Sequence, residues 1–145
     1  MNNYKKPFLI AEIGCNHMGQ LEIAKDLINL AKISGASVAK FQKRNNIKLL
    51  SKEQYGSPHP NPNNSYGKTY GEHREFLEFN IDIHKDLKLY CEEVGIDYAT
   101  SVWDIISARE VISLEPKFIK VPSACNNNEE LLLSLIHISE PTRPI

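Results

Sequence analysis

The stretch FLIAEIGCNHMGQLEIAKDLINLAKISGASVAKFQ, Phe8 to Gln42, holds a full strand–helix–strand unit. Phe8 to Ile13 is an apolar run too short for a helix, and Gly14 follows it, so it reads as a strand. Leu21, Ala24, Ile28 and Ala31 recur at helical spacing, and Gly35 supplies a stop. Val38 to Gln42 is the second short strand. Strands joined through a helix run parallel, with a right-handed crossover.

The same rhythm continues outward. Tyr98 to Val102 and Phe118 to Val121 are predicted as strands three and four. Ile83, Leu87, Tyr90, Cys91 and Val94 share a helical face that ends at Gly95. Asp104 is a good N-cap for a helix carrying Ile105, Ala108 and Ile112 inward, and Pro116 closes it. A fourth helix begins near Asn128, with Glu129 and Glu130 suited to the positive end of its dipole. Lys43 to about Glu75 is rich in Pro, Asn, Gly and Tyr and reads as a long functional loop, with a short helix around Leu49 to Gln54. The order is β-α-β-loop-α-β-α-β-α, an α/β class with parallel strands in the order 1-2-3-4. Residues 134–145, SLIHISEPTRPI, are expected to break the last helix and to be a non-native tail. That reading leaves residues 1–133 as part of one domain.

The 145 residues carry 17 Lys+Arg against 18 Asp+Glu, a net charge of −1. Neither a basic excess nor a basic block is present, so nothing points to nucleic acid. No apolar run approaches the roughly 18 residues of a membrane helix, and Met1 to Lys6 lacks the apolar stretch of a signal peptide. A cytoplasmic location with no membrane partner is the expectation. Cys15, Cys91 and Cys125 are odd in number and far apart. That pattern supports neither a disulfide framework nor a zinc site. They read as reduced thiols, with Cys91 in the core.

In a parallel β/α protein the chemistry gathers at the C-terminal ends of the strands. The polar strand residues fall there: Glu12, Lys40, Gln42, Thr100, Ser101, Lys120 and Ser123. A lone ammonium buried in a sheet is costly unless an anion joins it. Two lysines beside hydroxyls therefore suit an anionic ligand, and equally suit pairing with structural carboxylates. Glu12 is open in the same way, as a partner for a lysine or as a catalytic group.

Four motifs narrow the choice. AEIGCNHMG (Ala11–Gly19), VAKFQ (Val38–Gln42), GEHREFLEF (Gly71–Phe79) and KVPSACNN (Lys120–Asn127) stand in order along the chain. Together they resemble the N-acetylneuraminate (sialic acid) synthase family over about residues 7 to 133. The resemblance implies the first four units of a (β/α)8 TIM barrel. It also implies condensation of phosphoenolpyruvate with an N-acylated sugar aldehyde such as N-acetylmannosamine, giving a nonulosonic acid and phosphate. A divalent metal, Mn2+ or Mg2+, is expected with ligands outside this chain; His17 and His73 are not assigned to it. A homodimer is expected of the complete enzyme.

By the same resemblance Lys40 and Lys120 bind phosphoenolpyruvate, with Ser123 and Ser101 as hydroxyl partners. Gln42 contacts substrate, and Glu12 is the catalytic carboxylate near the sugar and the attacking water. Tyr66, Tyr70, His73 and Arg74 are candidates to cover the site from the long loop. TSVWD (Thr100–Asp104) and Cys125 depart from the usual family residues, which leaves the sugar open. Two alternatives remain. One is a 3-deoxy-octulosonate or heptulosonate phosphate synthase, which needs a second phosphate site; the four strands show no second basic cluster. The other is an inactive interaction fragment, and the chain by itself is expected to be inactive.

Overall fold

A computed structural model describes residues 3–138. Four strands form one parallel sheet in the order β1 (Ile10–Gly14), β2 (Val38–Lys43), β3 (Asp97–Val102) and β4 (Ile119–Lys120). This is the expected order, and no antiparallel pair occurs among them. Helix α1 (Leu21–Ile33) joins the first two strands.

The segment expected as a loop is more ordered than its composition suggests. It holds α2 (Asn46–Leu49), α3 (Lys52–Gly56), a 3-10 turn at Pro62–Asn64 and α4 (Tyr70–Leu77). Each helix starts on a side-chain cap: Asn45 for α2, Ser51 for α3 and Thr69 for α4. Ser51 and Thr69 form capping boxes with Gln54 and Glu72, which satisfy the free N–H groups at the helix starts. The Thr69-x-x-Glu72 spacing was the sequence signal for α4.

Helix α5 (Ile81–Val94) is capped by Asn80 and ends at Gly95, whose φ of 83° suits glycine. Helix α6 (Ile105–Ile112) starts at Asp104, as expected. Its buried side is Ser107, Ala108 and Val111; Ile112 is only half-buried. Helix α7 (Glu129–Ile138) runs through Ser134, where a break was expected. Leu131 and the partly buried Leu135 pack into the cluster of Val102, Ala108, Val111 and Cys125, so the apolar repeat carries the helix onward.

Alternation along the strands divides the sheet into two faces. Ile13, Ala39, Phe41 and Tyr98 lie against Ala24, Ile28, Leu87 and Cys91 of α1 and α5. In that layer the Tyr98 hydroxyl and His84 Nδ1 lie 2.7 Å apart. Lys43 belongs to the same face. It is buried between Glu78 at 3.8 Å and Glu110 at 3.4 Å. The opposite face carries Glu12, Lys40, Gln42, Ser101 and Lys120.

Candidate functional site

Register brings the inner-face residues together. Glu12 stands beside Lys40, Gln42 beside Ser101, and Ser101 beside Lys120. Lys40 is 2% exposed. Its ammonium lies 2.7 Å from Glu12 Oε2 and donates to Ser101 Oγ at 3.0 Å. The structural reading of Lys40, a carboxylate partner, is therefore realised, by a carboxylate that stays half-exposed. Lys120 is exposed at the end of β4, and Ser123 is exposed at the start of a 3-10 turn, Ser123–Cys125.

The irregular step in β1 between Glu12 and Gly14 shifts the register, so that Gly14 pairs with Phe41 at the end of the strand. Cys15 emerges there. His17 does not face the site. Its ring stacks on Phe79 at 3.9 Å, its Nδ1 accepts the Gly19 N–H, and burial pushes it down to about 4. A neutral imidazole packed this way is structural.

Of the two arginines at the strand ends, sequence reasoning named Arg74 as a candidate to cover the site and missed Arg44. Arg44 follows Lys43, the last residue of β2, and donates from Nη2 to Gln42 Oε1 at 2.8 Å. Its guanidinium lies 3.7 Å from the Trp103 ring centroid. Arg74, on α4, is buried and approaches Cys15 Sγ from Nη2 at 3.7 Å. Burial pulls Arg44 below the usual guanidinium range, and the neighbouring Arg74 charge adds to this. Arg44 and Arg74 add positive charge outside the four strands. Arg44 escaped notice because it lies just past the last strand residue, where the alternation that marks the inner face stops.

The other loop candidates form a ring stack. Tyr66 lies on Phe76 at 4.6 Å, and His73 sits 5.7 Å from Tyr66 and 4.3 Å from His59. His73 is buried, and its Nδ1 accepts the Tyr66 N–H at 3.2 Å. Tyr66 and His73 therefore hold the loop together. Among the described residues no group of three or more His, Cys, Asp and Glu side chains could hold a metal ion. No helix among them is long and apolar enough to cross a membrane.

Comparison with known proteins bears on the family and the fold. The chain is 44% identical over 126 residues to N-acetylneuraminate-9-phosphate synthase of Homo sapiens, which covers 83% of this chain and 33% of that protein. It is 31% identical over 119 residues to N,N'-diacetyllegionaminic acid synthase of Campylobacter jejuni, covering 82% and 36%. The chain spans about a third of the length of these curated relatives. A solved sialic acid synthetase from Leptospira borgpetersenii shares the fold, with TM-score 0.74 and 21% identity over 95% of this chain and 45% of that one. The four βα units are those of a partial TIM barrel. The model of the NeuB family matches residues 27–142, which takes in all four of its strands but the first and reaches from α1 past α7, and this chain is a member of the NeuB family.

Proposed function

We propose that the inner face serves a synthase that joins phosphoenolpyruvate to an N-acylated sugar aldehyde, releasing a nonulosonic acid and phosphate. The observation that carries this reading is the clustering of Lys40, Ser101 and Lys120 on one face, with Glu12 and Gln42 beside them. Two ammonium groups flanking a hydroxyl suit a small ligand that carries both phosphate and carboxylate. The relatives are named for such products, sialic-type acids with and without a phosphate.

The chemistry proceeds by attack of C3 of phosphoenolpyruvate on the aldehyde carbon. Water adds to C2, and phosphate departs with cleavage of the C2–O bond, which leaves an α-keto acid. Lys40 and Lys120 hold the anionic groups. Glu12 aims the Lys40 ammonium, and its half-exposed carboxylate is accessible to the sugar or the attacking water. A divalent metal remains part of this reading for the complete enzyme. The described residues offer no ligand set for it, so no step here is routed through one.

Calorimetric titration with phosphoenolpyruvate tests the assignment. Lys40→Ala and Lys120→Ala should each weaken binding by roughly 10–100-fold, the worth of a charge-assisted contact. Lys88→Ala, on helix α5 and paired with Glu92 of the same helix at 2.8 Å, is the control and should leave the affinity within a factor of about 2. Equal affinity in parent and both inner-face variants rejects the reading.

A further inference from the structure

On the helix side of the sheet, a cleft of about 300 Å3 opens between the exit of β2 and the turn from α4 into α5. Lys43, Arg44, Asn46, Glu78, Phe79 and Glu110 are among its walls. It is separate from the inner face, because Lys43 stands out of phase with Lys40 and Gln42 along β2.

The polar groups of these walls fall into two sets. One set is engaged within the protein. Lys43 Nζ lies 3.4 Å from Glu110 and 3.8 Å from Glu78 Oε1, and it donates to the Arg44 carbonyl at 3.1 Å. Glu78 Oε1 also accepts the Arg44 N–H at 2.9 Å. The other set has no hydrogen-bond partner. Asn46 is 2% exposed, and neither its Oδ1 nor its Nδ2 is bonded. The same holds for the buried Glu78 Oε2 and Arg44 Nε atoms. Buried polar groups left dry and unpaired are costly, and folded proteins keep few of them. Their concentration on one cleft is the mark of a surface built to bond a molecule that enters it.

The unpartnered set names the class of that molecule. The Asn46 amide offers a donor beside an acceptor, Arg44 Nε–H adds a donor, and Glu78 Oε2 adds an acceptor. Hydroxyl groups both donate and accept, so several on one small molecule answer this mixed set. Charge has little to add. The Lys43 ammonium is already shared by two acids, and the Arg44 guanidinium faces Trp103 and Gln42. Burial pushes Glu78 up to about 7, so its carboxyl is only partly ionised near neutrality. Phe79 and Ile47, the latter 77% exposed, also line the cleft and suit the carbon face of a ring. We propose that this cleft is a second ligand site, which takes a small neutral cyclic polyol. The assignment stands apart from the inner-face reading.

The test is calorimetric titration of the full chain with myo-inositol, a neutral cyclic polyol that has no aldehyde, beside inorganic phosphate and ethylammonium. The parent should bind myo-inositol with a Kd of about 1 mM or tighter, and at least about 10-fold more tightly than either ion. Asn46→Leu keeps the bulk and removes both amide bonds, and it should lose at least about 10-fold. Lys120→Ala, on the inner face, should keep the parental affinity. In the parent, myo-inositol should move the amide chemical shifts of residues 43–47 and 78–81 and leave those of 99–101 in place. Thermal melts verify folding, and the parental shifts decide the matter if Asn46→Leu does not fold. Neither heat nor shift up to about 10 mM means that water alone fills the cleft, and overturns the inference. So does an ion that binds as tightly as the polyol, parental affinity in Asn46→Leu, or shifts confined to the inner face.

Discussion

Lys40 Nζ lies 2.7 Å from Glu12 Oε2, yet the lysine side chain is 2% exposed and the glutamate 56%. The pair is lopsided in its dependence on water. Removing Glu12 strands a buried ammonium with only the Ser101 hydroxyl for company. Removing Lys40 leaves a carboxylate that water can solvate. Glu12→Ala should therefore cost about 2–3 kcal/mol, and Lys40→Met about 1 kcal/mol or less, by urea denaturation. Equal costs would show that the ion pair is solvated alike from both sides.

Asp104 does more than cap a helix. Oδ1 accepts the Ser107 N–H at 2.8 Å, while Oδ2 accepts the Ser107 hydroxyl at 2.9 Å and the Asn45 N–H at 2.7 Å. One buried carboxylate thus closes the start of α6 and pins the exit of β2. Asp104→Ala should cost about 2–3 kcal/mol, above the usual value near 1 for a cap alone. Asp104→Asn should recover part of that loss. A melting shift no larger than that of Thr69→Ala, a cap without a cross-link, would count against the pinning role.

Gly19 and Gly71 are among the sites of close approach. Gly19 has a φ of 70°, and a methyl there would run into the Phe76 carbonyl oxygen. At Gly71 the methyl would meet the Tyr55 ring, which is a movable side chain. Gly19→Ala should destabilise the whole domain by about 2 kcal/mol or more. Gly71→Ala should instead release α3 locally, read as faster amide exchange at residues 52–56 with a nearly unchanged global melt.

Stability should depend on pH through three buried groups. Burial pushes His17 and His84 down to about 4 and about 3, so both fold as neutral rings. Their contribution is present above pH 6.5 and is lost as pH falls through the folded values. Burial raises Glu78 to about 7, so its contribution is present below its unfolded value, near 4.5, and is lost as pH rises toward 7. Between pH 4.5 and 6.5 the histidines gain stability with pH and the glutamate opposes them. Over these three groups the net is about one proton, roughly 1.4 kcal/mol per pH unit, and His73, lowered by burial, adds to it in the histidine direction. Glu78→Gln should remove the opposing part and steepen that slope about twofold. Urea melts across pH 4.5–6.5 measure it; an unchanged slope would mean Glu78 titrates alike in both states.

The strands and the main helices were legible because burial imposes a period on the sequence. Leu21, Ala24, Ile28 and Ala31 had to repeat as they do to cover Ala39 and Phe41. The inner-face set was legible for the same reason, since Lys40, Ser101 and Lys120 sit in phase on neighbouring strands. Helix α4 was hidden by a segment rich in turn residues, although its capping box was in plain sight. The continuation of α7 was missed because leucine packing outweighs a polar residue at Ser134. The Arg44–Arg74 juxtaposition has no periodic signature. It depends on where α4 lands, which only the folded loop decides.

Strand β2 holds Lys40 and Lys43 three positions apart, hence on opposite faces, and both are buried. A mutational library across this strand would read as two interleaved alphabets. Even-numbered positions would sort variants by ligand preference, and odd-numbered ones by whether the protein accumulates in the cell at all. A screen that scores only product formation would merge the two classes. Pairing it with an abundance readout would separate retuned variants from merely scarce ones, and would mark Val38, Lys40 and Gln42 as the places to alter the ligand without touching the layer of helices behind them.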